Sequence, residues 1–201
     1  MKFTELRTHI TPHRLVVGSF ALMIVMGTGL LRLPFCMKSG EVLSVVDAFF
    51  TATSAVCVTG LTVRDTGSEF TLFGQAVILL LIQAGGLGIL TLSNFVLLAL
   101  GAKLRTANRG MVEETLGSLP HIKPKMLLKN VMIYTFSFEA VGALLLIPRF
   151  SAEYPFGKAV WLGLFHSISA FCNAGFSLFS NSFVSYQDDA YINVVLMILI
   201  F

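Results

Sequence analysis

An all-α, polytopic membrane fold built from repeated span–loop–span units is predicted by three features of the 201-residue sequence. Hydrophobic residues make up 55%, charged residues only 12%, and the mean hydropathy is +0.81, a composition suited to lipid contact rather than to a soluble domain. Long uncharged runs alternate with short apolar segments too small to cross a bilayer. One of those short segments occurs twice.

Met1 to Arg14 is polar and basic, and Leu15 to Leu31 then runs seventeen residues without a charge before Arg32 and Pro34. This run exceeds the apolar core of about 7–15 residues in a secretory signal, and no A-x-A-like cleavage site follows before Pro34. It is read as a first span. The short segment comes next, Asp47 to Thr62, DAFFTATSAVCVTGLT. Shifted by 115 positions, Phe50, Ser54, Ala55, Cys57 and Gly60 fall on Phe165, Ser169, Ala170, Cys172 and Gly175, five identities in eleven positions. Such a repeat marks a duplicated structural unit.

In the first copy Asp47 is expected to cap a helix running to about Val56, whose negative dipole end faces the loop Cys57 to Leu61. Backbone that leaves the helix at membrane depth has unpaired N–H and C=O groups, tolerable only against protein, water or ions. The break is therefore expected to line a pore. The carbonyls of Val58, Thr59 and Gly60 are candidate cation ligands, with Gly60 reaching backbone angles that a Cβ disfavours.

Phe70 to Ala102 runs thirty-three residues without a charge, about 50 Å if wholly helical, against a hydrocarbon core of roughly 30 Å. It must tilt, bend or emerge, and Gly85, Gly86 and Gly88 mark the expected point of bending or close packing. Lys103 to Lys129 reads as a solvated or lipid-facing connector. Asn130 to Pro148 is a third span, interrupted by Glu139, a carboxylate that needs a partner, a proton or water at that depth. Read structurally, Glu139 accepts hydrogen bonds from neighbouring helices or loop backbone; read functionally, it takes part in ion movement.

Ser151 to Gly157 is expected to turn, and Ala159 to Phe171 to form the second short helix, with Asn173, Ala174 and Gly175 as the matching loop ligands. His166 and Cys172 lack the third partner a metal site needs. Cys36, Cys57 and Cys172 make no disulfide framework and are read as small buried packing residues. The last apolar run, Ala190 to Phe201, has twelve residues, where a span needs about twenty. The expectation is a fragment: residues 1–102 a first repeat, 103–125 a basic cytoplasmic linker, 126–201 a second repeat cut within its last span.

Nine of the fourteen lysines and arginines precede the first span or lie between residues 103 and 129. The positive-inside rule puts those segments, the N-terminus included, in the cytoplasm and the two loops on the outer face.

The segments SAVCVTGL, FGQAVILLLIQAGGLGIL and FHSISAFCNAGFS resemble the bacterial potassium-uptake family that includes the Trk and Ktr membrane subunits. The likeness is greater to Ktr, because the first repeat starts without extra helices in front. The resemblance implies a potassium-channel-like fold of four span–pore-loop–span units, of which this chain holds the first two. It implies uptake of K+ through a selectivity filter of loop carbonyls at Val58, Thr59, Gly60, Asn173, Ala174 and Gly175, with Na+ coupling an option. Glycine rather than serine at Gly60 leans, by the family's pattern, toward potassium. The full-length subunit would be a homodimer docked on a cytoplasmic nucleotide-binding regulatory subunit. It would be multi-pass in the bacterial inner (plasma) membrane.

No cofactor in this chain and no nucleic-acid partner is expected. No Ser/His/Asp set, metal-ligand cluster or phosphate-cradling loop points to an enzyme, and GGLG lacks both a preceding strand and GxGxxG spacing. The competing expectation is a non-transporting membrane helical bundle whose re-entrant loops only brace the fold.

Overall fold

The computed structural model describes residues 12–88 and 124–201. The end of the long uncharged run and most of the basic connector lie outside the described residues. Six α-helices make up the described fold, in chain order α1 (Pro12–Leu31), α2 (Val45–Val56), α3 (Leu72–Gly86), α4 (Pro124–Ser151), α5 (Phe156–Phe171) and α6 (Ala190–Ile200). Among the described residues the only strand-like feature is an isolated antiparallel bridge between Met37 and Phe70.

The helix starts are set by local side chains. Ser44 precedes α2 and its hydroxyl accepts from the Asp47 amide at 3.0 Å. This corrects the expectation that Asp47 is the cap. Asp47 instead lies in the first turn, where a carboxylate suits the helix dipole, and pairs with Arg64 at 3.2 Å. Thr71 caps α3 by accepting from the Gly74 amide, and its own hydroxyl donates to the Phe35 carbonyl at 2.6 Å. Asp189 caps α6 through the Ile192 amide. Pro155 precedes α5, which begins at Phe156, three residues before the expected start.

Within each half the short helix lies against its two neighbours: α2 packs on α1 and α3, α5 on α4 and α6. On α2 the positions Ala48, Thr51, Ala52 and Ala55 are buried, a spacing of three and four residues that puts them on one face. On α5 Ala159, Leu162, Gly163, His166 and Ser169 follow the same rule. The halves join where α3 crosses α5. The first half's core accordingly takes in Phe165, Ala174 and Phe176 of the second.

The outward faces are apolar. Leu22, Val25, Leu80 and Leu144 are each at least 60% exposed, as helices facing lipid rather than water would be. Among the described residues, Lys129–Ser151 is the one stretch of helix long and apolar enough to cross a bilayer; α2, α3, α6 and Val17–Leu31 are apolar and shorter. Pro148 sits inside the last turns of α4, which continues to Ser151 beyond the expected end.

Candidate functional site

Both repeated segments end in the same backbone fold. After α2 the amides of Cys57, Val58 and Thr59 donate to the carbonyls of Thr53, Ala55 and Ser54; after α5 those of Cys172, Asn173 and Ala174 donate to Ile168, Ala170 and Ser169. Every donor and acceptor is displaced by 115 residues. The torsions agree as well: φ is +56° at both Val58 and Asn173, +74° at Gly60 and +71° at Gly175. Left-handed φ is rare outside glycine, and two such residues in one short loop turn the chain sharply back after the helix ends.

The two loops meet. A Cβ placed on Gly60 would lie 2.7 Å from the Ala174 carbonyl oxygen and 3.0 Å from the Gly175 Cα, and one on Gly175 would lie 3.3 Å from the Gly60 Cα. Only residues without side chains allow the backbones this approach. Of the six candidate ligands, Val58 and Gly60 are half-buried, Thr59, Asn173 and Gly175 exposed, and Ala174 buried. No carbonyl of these six accepts a hydrogen bond among the described residues. Carbonyls without a protein donor are the kind of group that can replace a cation's water shell. The loops also follow the C-terminal ends of α2 and α5, neither with a basic residue in its last turn, so both negative dipole ends are left uncompensated.

Side chains fix these loops from behind. Ser54 and Ser169 occupy equivalent positions and both serve the loop. Thr59 Oγ1 donates to Ser54 Oγ at 2.9 Å, and Ser169 Oγ donates to the Phe176 carbonyl at 2.6 Å. The buried His166 receives the Leu178 amide on Nε2 at 3.1 Å and turns Nδ1 to the Leu162 carbonyl at 2.8 Å, which makes Nδ1 the protonated nitrogen. It holds the segment leaving the second loop rather than a metal. The serine roles left a trace in the sequence, since both serines are among the five repeat identities.

The glycines of α3 seat the helix against both loops. A Cβ on Gly85 would lie 2.0 Å from the Val56 carbonyl oxygen, and one on Gly86 would lie 2.4 Å from Cys172 Sγ. Gly88 has φ of +74° with no described residue within 4 Å of an added Cβ, the sign of a bend rather than of packing. Among the cysteines, Cys36 is buried and Cys172 half-buried, whereas Cys57 is exposed, so the buried-packing reading fails for Cys57.

Outside the loops, Gly60, Thr62, Asp65, Gly175, Ser177 and Ser180 line one cavity of about 380 Å³ shared by the two halves. Burial raises the Asp65 carboxyl, but hydrogen bonds from Ser180, Ser68 and Gly67 outweigh it and hold the group below the usual carboxylate range. A negative charge therefore stands in the cavity wall and bridges the halves. Lys38 donates to the Gly67 carbonyl at 2.7 Å, fixing the same segment. No group of three or more metal-ligating His, Cys, Asp or Glu side chains occurs among the described residues.

The family described as TrkH, cation transport protein, matches residues 7–201. The chain is 42% identical over 190 residues to the Ktr system potassium uptake protein B of Bacillus subtilis, covering 94% of this chain and 42% of that protein. It is 40% identical to the protein of the same name from Vibrio alginolyticus, covering 91% and 40%. To the potassium/sodium uptake protein NtpJ of Enterococcus hirae it is 35% identical, covering 98% and 44%. The chain thus spans less than half the length of these relatives. With the match running over nearly every residue, the chain belongs to the TrkH family of cation transport proteins, which are integral membrane transporters and not enzymes.

Proposed function

We propose that this chain is the first half of a pore-forming subunit that takes up K+ across the bacterial inner membrane, with the two loops supplying half of a selectivity filter. The observation that carries this reading is the pair of loops related by 115 residues, alike in torsions and hydrogen bonds, back to back at Gly60 and Gly175, with free carbonyls at 58–60 and 173–175. A loop that merely braced the fold would have its carbonyls paired. The relatives' names supply the ion. K+ passes between carbonyls of these two loops and of further units, and each loop adds one glycine to a single principal ring of ligands.

The complete subunit forms a homodimer and docks on a cytoplasmic nucleotide-binding regulatory subunit, a reading that rests on likeness to Ktr systems. The N-terminus and the connector around Ser118 face the cytoplasm, and Ser185 faces outward; cysteines placed at these two serines should be labelled from opposite sides of the membrane. Na+ coupling is an option that NtpJ's name keeps in view.

The test is growth on limiting potassium of a bacterium lacking its own potassium uptake, expressing the full-length gene. Rescue is expected, with loss of rescue when Gly60 and Gly175 are both replaced by valine at normal membrane abundance. Undiminished rescue by that double variant would show that the loops are not the ion path.

A further inference from the structure

Glu139 lies midway along α4 and is 2% exposed. Its Oε1 accepts from Gln83 Nε2 at 2.8 Å, and Cys172 Sγ stands 3.9 Å from the same oxygen. The Ser167 hydroxyl donates to its main-chain carbonyl at 2.7 Å. The second carboxyl oxygen, Oε2, is buried with no donor among the described residues, and so is the side-chain oxygen of Gln83. The two orphan acceptors belong to one hydrogen-bonded pair of side chains.

A buried acceptor left without a donor costs about 1–3 kcal/mol, and more when it carries charge. A carboxylate has no hydrogen to give, and neither has an amide oxygen. A single hydrogen on Oε2, shared with Gln83 Oε1, would remove both defects. Placed on Oε2, it makes that oxygen a donor toward Gln83 Oε1, while Gln83 Nε2 continues to donate to Oε1. The result is the two-bond ring that a carboxylic acid and a primary amide form.

The surroundings offer a carboxylate no counter-charge. Helix α3 and helix α6 contain no charged residue. From α5 the titratable side chains are Lys158, His166 and, at its end, Cys172; Lys158 lies over the Tyr154 ring and His166 is held by Leu162 and Leu178, which leaves Cys172 as the one that touches Glu139. On α4 the described charged neighbours are Lys129, ten residues before, and Arg149, ten after, the latter paired with Glu153 and Asp189. No described cation stands ready to hold a carboxylate here.

We propose that Glu139 is a proton-binding site, its proton shared with Gln83 in an acid–amide ring directly behind the second loop. Loss of the proton to water converts the acid to a carboxylate and sets a bare charge against Cys172, the residue that opens the loop Asn173–Gly175. Occupancy of the site therefore bears on the geometry of that loop.

Infrared spectra of the full-length protein in lipid test this, and they need no transport activity, so they stand or fall apart from the uptake reading. At neutral pH the protein should show the carbonyl stretch of a hydrogen-bonded carboxylic acid, shifted by deuterium exchange and lost in Glu139→Gln. Gln83→Leu should keep the acid band but move it to higher frequency, because the amide donor is gone. That shift carries the test even if Glu139→Gln does not accumulate. Absence of an acid band assignable to Glu139 would overturn the proposal, leaving a cation or a basic side chain elsewhere in the protein to hold the carboxylate. An acid band unmoved by Gln83→Leu would overturn the ring.

Discussion

Trp161 Nε1 donates to Gln75 Oε1 at 2.7 Å, tying α5 of the second half to α3 of the first. Gln75 is 5% exposed and spends its amide hydrogens on the first half's own exit segment, the carbonyls of Thr66 at 3.1 Å and Phe70 at 3.1 Å. One glutamine thus joins the segment leaving the first loop to the helix that presents the second. Trp161→Phe keeps the apolar ring and deletes the donor, which should destabilise the protein by about 0.5–1.5 kcal/mol. Gln75→Leu should cost more, since it strips two buried carbonyls of their donor. In a double-mutant cycle read by thermal melting, the pair should couple; additive losses would show that the bond transmits nothing between the halves.

The contact between Gly60 and the second loop is unequal. A Cβ at Gly60 meets a carbonyl oxygen at 2.7 Å, whereas at Gly175 the nearest atom lies at 3.3 Å. Both positions also have positive φ, a strain of about 1–3 kcal/mol for most residues. Gly60→Ser should therefore raise the sodium-to-potassium uptake ratio of the full-length protein more than Gly175→Ser does. Equal ratios for both variants and the unaltered protein, at equal abundance, would remove these glycines from the filter.

Gly85 is a packing requirement. A methyl group there would lie 2.0 Å from the Val56 carbonyl, a backbone atom that cannot swing aside. Gly85→Ala should lower stability by about 1–3 kcal/mol, as overpacking does, and reduce accumulation in the membrane. Gly157→Ala is the control, because no described residue lies within 4 Å of its added carbon. Similar melting temperatures for the two variants would mean that α3 shifts at no cost.

At the C-terminal end of α4 Arg149 bridges Glu153 at 2.7 Å and Asp189 at 2.5 Å, and the Tyr186 hydroxyl donates to Glu153 at 2.7 Å. The Tyr186 bond and then Arg149 hold Glu153 below the usual carboxylate range; the Ile192 amide, with Arg149, does the same for Asp189 against its partial desolvation. Depressed pKa values give stability that is present above the unfolded-state pKa and lost as pH falls through the folded one. Acidification from about pH 7 to about pH 3 should therefore lower the amide-exchange protection factors at Tyr186 and Ile192, each taken relative to the intrinsic rate at that pH. Arg149→Gln should flatten that response, and a variant that kept the full pH dependence would show that the cluster does not hold the turn.

Much of this protein was legible before any fold was known. Composition and the spacing of charges required helices facing lipid, because backbone in lipid must be paired within its own segment. The repeat placed the two loops at Cys57 and Cys172, and glycine at Gly60 and Gly175 pointed to unusual backbone angles there. These are local facts, carried by residue type and spacing. The Ser44 cap was also within reach, since Ser-x-x-Asp at the start of an apolar segment is a capping signature; the charged residue drew the assignment instead.

Contacts between distant residues were not legible. That Gly60 touches Ala174 and Gly175, that Gln75 serves Trp161, and that Glu139 meets Gln83 depend on how α3 crosses α5. No periodicity within a single helix encodes that crossing. It follows from Gly85 and Gly86, whose missing side chains let α3 approach the ends of both short helices. The sequence by itself determined the elements and the two loops; the tertiary structure decided which loop atoms face each other, because close packing is a property of two surfaces at once.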